Sequence, residues 1–214
     1  MTVSMDDLLN SIVESLDRIR YVDLDDIPNI DLYMDQVTTF MDKKLESTTR
    51  NPGEDKILTK TMINNYAKND LLPPPIKKKY SKEHMIILIM IYYFKGVLSF
   101  NDIQQLLKPL TDTYFQKGDG YGLADIYKEV FDFETIQRDS LKADITEKIK
   151  CAETMFENAP KEDEEFFTLF SLIVQLAYDV YVKKLLMEKL IDSYQEKHEV
   201  KAPSKGKKKE PKTE

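Results

Sequence analysis

The run Met85-Ile-Ile-Leu-Ile-Met-Ile-Tyr-Tyr-Phe94 constrains this chain more than any other stretch. Consecutive apolar residues leave no polar face at either the helical or the strand period, so whatever they form must be covered on every side. Ser81 offers a cap before the run and Gly96 a terminator after it, which predicts a buried helix ending near Lys95. The run falls far short of the roughly 18–20 residues that span a bilayer. Its cover is therefore expected to be protein. With 214 residues, 42% of them hydrophobic, the chain provides one medium domain or two small ones.

Helical spacing recurs on both sides of this run. Leu8, Leu9, Ile12, Val13 and Leu16 predict a first helix, and Asp31–Leu45 a second with Leu32, Val37, Phe40, Met41 and Leu45 inward. Asn51-Pro52-Gly53 is turn chemistry. Thr59 caps a short third helix that stops near Asn69, because Leu71-Leu72-Pro73-Pro74-Pro75 cannot continue one. Ser99 with Asp102 opens a further helix through Leu107, and the chain loosens beyond Pro109 into the loop Gly118–Gly122. Leu123–Phe156 reads as helical with a break, and a last long helix runs from about Lys161 to Gln195. The expected class is all-α, with at most a short β wing.

Composition removes several kinds of chemistry. One cysteine, Cys151, permits no disulfide framework, and two histidines add no zinc site of ordinary composition. Six glycines are few for a nucleotide-binding loop. No nucleophile–base pair stands out, so the chain reads as a non-enzyme without cofactor or metal. Residues 1–16 lack a basic start before an apolar block, which is not the pattern of a signal peptide. A soluble, cytoplasmic protein with no membrane partner is the expectation.

Charge is unevenly spread. The formal net charge is -7, yet Arg50–Lys82 holds eight Lys or Arg against three carboxylates, a net +5. Residues 197–214 add +4, leaving -16 for the rest of the chain. A basic island on an acidic body focuses polyanion contact on one face. Inside the island, Met62, Ile63, Tyr66 and Ala67 share one helical arc, and Lys60, Thr61, Asn64, Asn65 and Lys68 occupy the opposite one. Amides can pair with adenine edges and lysines with phosphate or guanine. The plainer reading is a solvated amphipathic helix.

The pieces Thr61–Lys68, Leu71–Pro74, Lys77–Ser81, Met85–Lys95 and Ser99–Leu107 follow one another as helix, Leu-Leu-Pro-Pro turn, basic run closing on Tyr-Ser, helix and helix. In this the chain resembles the DNA-binding half of MerR-type winged helix-turn-helix regulators. The resemblance implies that Lys60, Thr61, Asn64 and Lys68 face the major groove and that Lys77, Lys78, Lys79 and Tyr80 form the wing. Asp31–Val37 and Leu58–Tyr66 are also similar to stretches of the YkrK-like bacterial proteins, a family of unknown function, over roughly residues 20 to 190.

The organisation expected is an N-terminal helix and connector (1–30), a winged unit (31–110), a helical dimerisation or effector region (111–196) and a disordered Lys-rich tail (197–214). Two functions compete. One is a DNA-binding transcriptional regulator that dimerises through its C-terminal helices. The other is a non-enzymatic helical interaction module, favoured by the shortened lysine-only wing and the acidic body.

Overall fold

The computed structural model describes residues 5–18, 20–156 and 158–199. Among these are eight α-helices and one two-stranded sheet, so the chain is mainly α. In chain order they are α1 (Met5–Ser15), β1 (Leu32–Tyr33), α2 (Met34–Leu45), α3 (Lys60–Lys68), β2 (Lys79–Tyr80), α4 (Lys82–Phe94), α5 (Phe100–Tyr114), α6 (Leu123–Phe131), α7 (Glu134–Thr154) and α8 (Glu164–Glu199).

Helix α4 is the axis of the core. Every residue from His84 to Ile91 is buried. Val37, Met41 and Leu45 of α2, Ile63 and Tyr66 of α3, and Ile103 and Leu107 of α5 belong to the same cluster. Leu123 and Tyr127 of α6 join it, so the core runs past residue 110. Val22 and Ile27 of the connector complete it, with the Tyr127 hydroxyl donating to the Val22 carbonyl at 2.5 Å. Each large side chain removed from water here contributes roughly 1.5–3 kcal/mol.

The caps expected from sequence are present. Thr59 Oγ1 accepts from the Met62 amide at 3.2 Å, and Ser99 and Asp102 satisfy each other's amides at 3.2 and 3.1 Å. Other local expectations are corrected. Residues 31–33 are not the start of α2: Leu32 and Tyr33 form an extended strand pairing with β2, because a sheet partner competes for their backbone groups. Helix α5 continues through Pro109 to Tyr114, since Leu107, Leu110 and Tyr114 all pack on the core. On α1 only Leu9 is fully covered, and Leu8 and Ile12 stay exposed.

A second, smaller cluster joins α1, α7 and α8 through Leu9, Ala152 and Leu172. Lys148 of α7 bonds Asp144 and lies 3.0 Å from Asp179 of α8; those hydrogen bonds, Asp144's first, hold its pKa above the usual lysine range. The far end of α8 returns Ile191 to the main core. Its first half leaves Phe166, Phe170, Ile173, Val174, Tyr178 and Tyr181 exposed. By length and composition alone α8 is long and apolar enough to cross a bilayer. It also runs on through Lys197, and the rest of the tail expected to be disordered, 200–214, lies outside the described residues.

Burial sets different costs for two aliphatic truncations. Ile87→Ala, at the centre of α4, should lower unfolding free energy in urea by about 2–5 kcal/mol. Val130→Ala, on the exposed face of α6, should change it by less than about 0.5 kcal/mol. Equal losses would show that α4 is not the centre of the core.

Candidate nucleic-acid interface

Helix α3 divides as its sequence period requires. Ile63 and Tyr66 are buried, while Lys60, Thr61, Asn64, Asn65 and Lys68 are exposed. At 1.5 Å per residue the stripe from Lys60 through Asn64 to Lys68 is about 12 Å long. The helix is ended by Asp70 in the left-handed region (φ 55°), after which the Leu71 amide reaches back to the Tyr66 carbonyl at 2.9 Å. That geometry is a Schellman-type stop, with buried Leu71 as its apolar anchor. Asn65 is partly engaged, because its side-chain oxygen accepts from the Asn69 amide group at 2.9 Å.

The basic run after the prolines is a tight hairpin. Ile76 and Lys79 exchange both backbone hydrogen bonds, at 3.1 and 2.9 Å, and leave Lys77 and Lys78 alone at the tip. Both tip residues have positive φ, 50° and 65°, as in a type I′ turn. Asn-Gly is the favoured pair at such a tip, and a lysine held there costs about 1–2 kcal/mol. The turn therefore trades stability for two ammonium groups carried outward.

Lys79 sits in the sheet opposite Tyr33, with its Nζ 5.2 Å from the centre of that ring. Two residues along the chain, Asp35 at the start of α2 forms an ion pair with Lys60 of α3. The short segment Tyr33–Asp35 thus contacts the hairpin through Tyr33 and the first turn of α3 through Asp35. Lys60 is the one member of the α3 stripe whose charge this arrangement offsets. Tyr80 departs from the sequence expectation: its ring is buried, so it is a core residue and contributes no contact surface. Burial also pushes its hydroxyl pKa up.

The residue beneath the hairpin is His84, one of the two histidines in the chain. It is buried, edge-on to Tyr80 and to Phe115. Its Nδ1 accepts from the Ser81 backbone amide at 3.0 Å, so in the neutral ring Nε2 carries the proton and faces the Pro74 carbonyl at 3.4 Å. His84 thereby closes the N-terminal cap of α4 and clamps the proline turn in one step. Only its spacing of three from Ser81, the position of a capping-box acceptor, could have signalled this. The partnerships of Asp35 and Tyr33 had no sequence signal.

Helices around one buried helix, with a two-stranded sheet and a basic hairpin, define a mainly α protein. The chain belongs to the family described as domain of unknown function DUF1836, whose profile matches residues 22–131. That span holds every buried member of the main core except Ile191 of α8, and it ends before α7. No curated protein and no solved structure matches the chain. Among the described residues no group of three or more His, Cys, Asp or Glu is placed to hold a metal ion.

The His84 clamp has a pH signature. Burial, the largest influence, lowers its pKa below the usual 6.5, against opposing effects of the Pro74 and Pro73 carbonyls and of Asp31. The folded state then binds fewer protons than the unfolded one between the two values. The clamp's stabilisation is complete above about pH 6.5 and is lost as pH falls through the folded value. Melting temperature should fall more steeply between pH 7.5 and 5 in the wild type than in His84→Gln, whose amide oxygen can still accept from Ser81. Parallel slopes would refute the assignment.

Proposed function

We propose that this chain binds double-stranded DNA as a transcriptional regulator, with α3 in the major groove and the Lys77–Lys78 tip on the flanking backbone. The observation that carries the reading is the shared support of hairpin and helix on Tyr33–Asp35, which ties Lys79 and Lys60 to one short segment. Strand order supports it: β1 precedes α2, and its partner β2 is the return strand of the hairpin, as in a winged helix-turn-helix. The retained backbone strain at two adjacent lysines fits a role in contact rather than in folding. The MerR-type resemblance of the sequence points the same way.

A dimer belongs to this reading. The chain exposes 15738 Å², against roughly 10,000 Å² for a compact monomer of this mass. Counting every residue outside the described set at unfolded-chain exposure still leaves an excess of roughly 3,000 Å². That is ample for a permanent homodimer, which buries about 1,000–2,500 Å² per partner. Phe166, Phe170, Ile173, Val174 and Tyr181 share one exposed arc of α8. An antiparallel pair of α8 helices that packs through this arc gives it the cover that it lacks in one chain.

A second reading is favoured by the Lys60–Asp35 ion pair, which dulls the groove-facing charge, and by the same apolar α8 face. In it the chain is a helical interaction module that binds no nucleic acid.

Random-sequence duplex at low salt separates the two. Binding through four to six lysines should weaken with a log–log salt slope of about -4 to -5. Lys77→Asn combined with Lys78→Gly should raise the melting temperature by relieving the turn, yet reduce the salt slope by about 2. No retention on duplex at low salt would leave the module reading in place. For the dimer, sedimentation should show a species of twice the chain mass that Val174→Lys, on the exposed arc of α8, converts to monomer; a monomeric wild type would exclude the dimer.

A further inference from the structure

At the opposite end of α4 from the hairpin lies a cleft of about 570 Å³, in the range of small-molecule sites. Its walls are mostly apolar and aromatic: Leu16, Tyr21, Ile57, Tyr92, Tyr93 and Leu141. Tyr21 meets Tyr93 edge-on at 4.7 Å, and Tyr93 meets Tyr92 at 5.6 Å, so the tyrosine rings hold one another at fixed angles. Four cationic side chains line the same cleft, Arg20, Lys56, Lys95 and Arg138, against the single carboxylate of Asp55. On a chain of net charge -7 this is a second place where positive charge gathers, and it lies apart from the hairpin.

Lys95 is the informative cation. It is partly buried, and its Nζ donates to the Ile57 carbonyl at 2.6 Å and lies 4.8 Å from the centre of the Tyr92 ring. Burial lowers its pKa from the usual lysine range. Both of those partners are neutral, so this desolvated ammonium faces a carbonyl and a ring rather than a carboxylate. An incoming anion would give it the countercharge that its present contacts do not supply. The adjoining cavity, beyond Tyr21, shares Arg20 and Arg138 and balances them and Lys44 and Lys128 with Asp23, Asp25, Asp26 and Asp132, so the excess of cations belongs to the first cleft.

We propose that this cleft binds a small planar aromatic carboxylate, its ring against the tyrosine-lined wall and its carboxylate on Lys95 and Lys56. The proposal stands without the DNA reading. Resting on that reading is one consequence: Lys56 and Ile57 line the cleft and lie just before Thr59, the cap of α3. A ligand that draws Lys95 off the Ile57 carbonyl therefore acts on the segment that sets the start of the proposed recognition helix.

The probe is 2-naphthoate, with 2-naphthamide as its uncharged counterpart. The chain has no tryptophan, so naphthoate fluorescence can be followed without interference from indole. The full chain should bind naphthoate saturably and the amide at least about tenfold more weakly, as expected for the loss of a charge-assisted contact. Lys95→Met should weaken naphthoate about tenfold and leave the amide unchanged, and Lys56→Met serves the same purpose should Lys95→Met fail to fold. Gly96 lines the cleft with nothing within 4 Å of an added Cβ, so Gly96→Phe puts a ring at this exposed rim and should abolish binding of both probes, with melting measured alongside to show that the variant is folded. Absence of saturable binding overturns the proposal. So does binding that survives Gly96→Phe, which would assign the probe to the exposed α8 face. Duplex retention measured with and without naphthoate then tests the regulatory consequence separately, since a null result there leaves the binding constants untouched.

Discussion

A helix apolar around its whole circumference can exist in water only if other elements enclose it, and α4 is that helix. Enclosure by α2, α3, α5 and α6 sets where everything else can be. With 13 residues at 1.5 Å each, α4 is about 20 Å long, and its two ends emerge at different edges of the molecule. The N-terminal end carries His84 and the basic hairpin. The C-terminal end carries Tyr92, Tyr93 and Lys95 and the cationic cleft. A close-packed core transmits displacement along such an axis rather than absorbing it.

Around this axis the charged groups are used economically. The acidic body repels polyanions in general, and the basic island is small, so placement matters more than count. Asp35 holds Lys60 against α2, Tyr33 supports Lys79, and the backbone of the hairpin holds Lys77 and Lys78 outward in a conformation that lysine does not favour. Two of these are stabilising contacts and one is strained. Asp35 and Tyr33 restrict the side chains of Lys60 and Lys79, whereas the turn fixes only the backbone that carries Lys77 and Lys78.

Much of the local structure was legible in the residues themselves. The two arcs of α3, the Thr59 cap and the Ser99–Asp102 box follow from side-chain period and short-range hydrogen bonding, which need only a few neighbouring positions. Pro109 misled because a proline within a helix is disfavoured only until tertiary packing outweighs the lost hydrogen bond, as Leu107 and Tyr114 make it do. Tyr80 misled because a strand alternates sides, and nothing local says which side meets the core.

By itself the sequence determined that the chain is mainly helical, where most helices begin and end, that Met85–Phe94 is buried, and that positive charge concentrates in Arg50–Lys82. These are consequences of periodicity, capping and composition, which act over a few residues. Only the tertiary structure decided that Leu32–Tyr33 pairs with the hairpin, that Asp35 neutralises Lys60, that His84 clamps the proline turn, and that Arg20, Lys56, Lys95 and Arg138 share one cleft. Each joins elements distant along the chain, and such pairings are selected by how a whole core closes, not by any property of the partners alone.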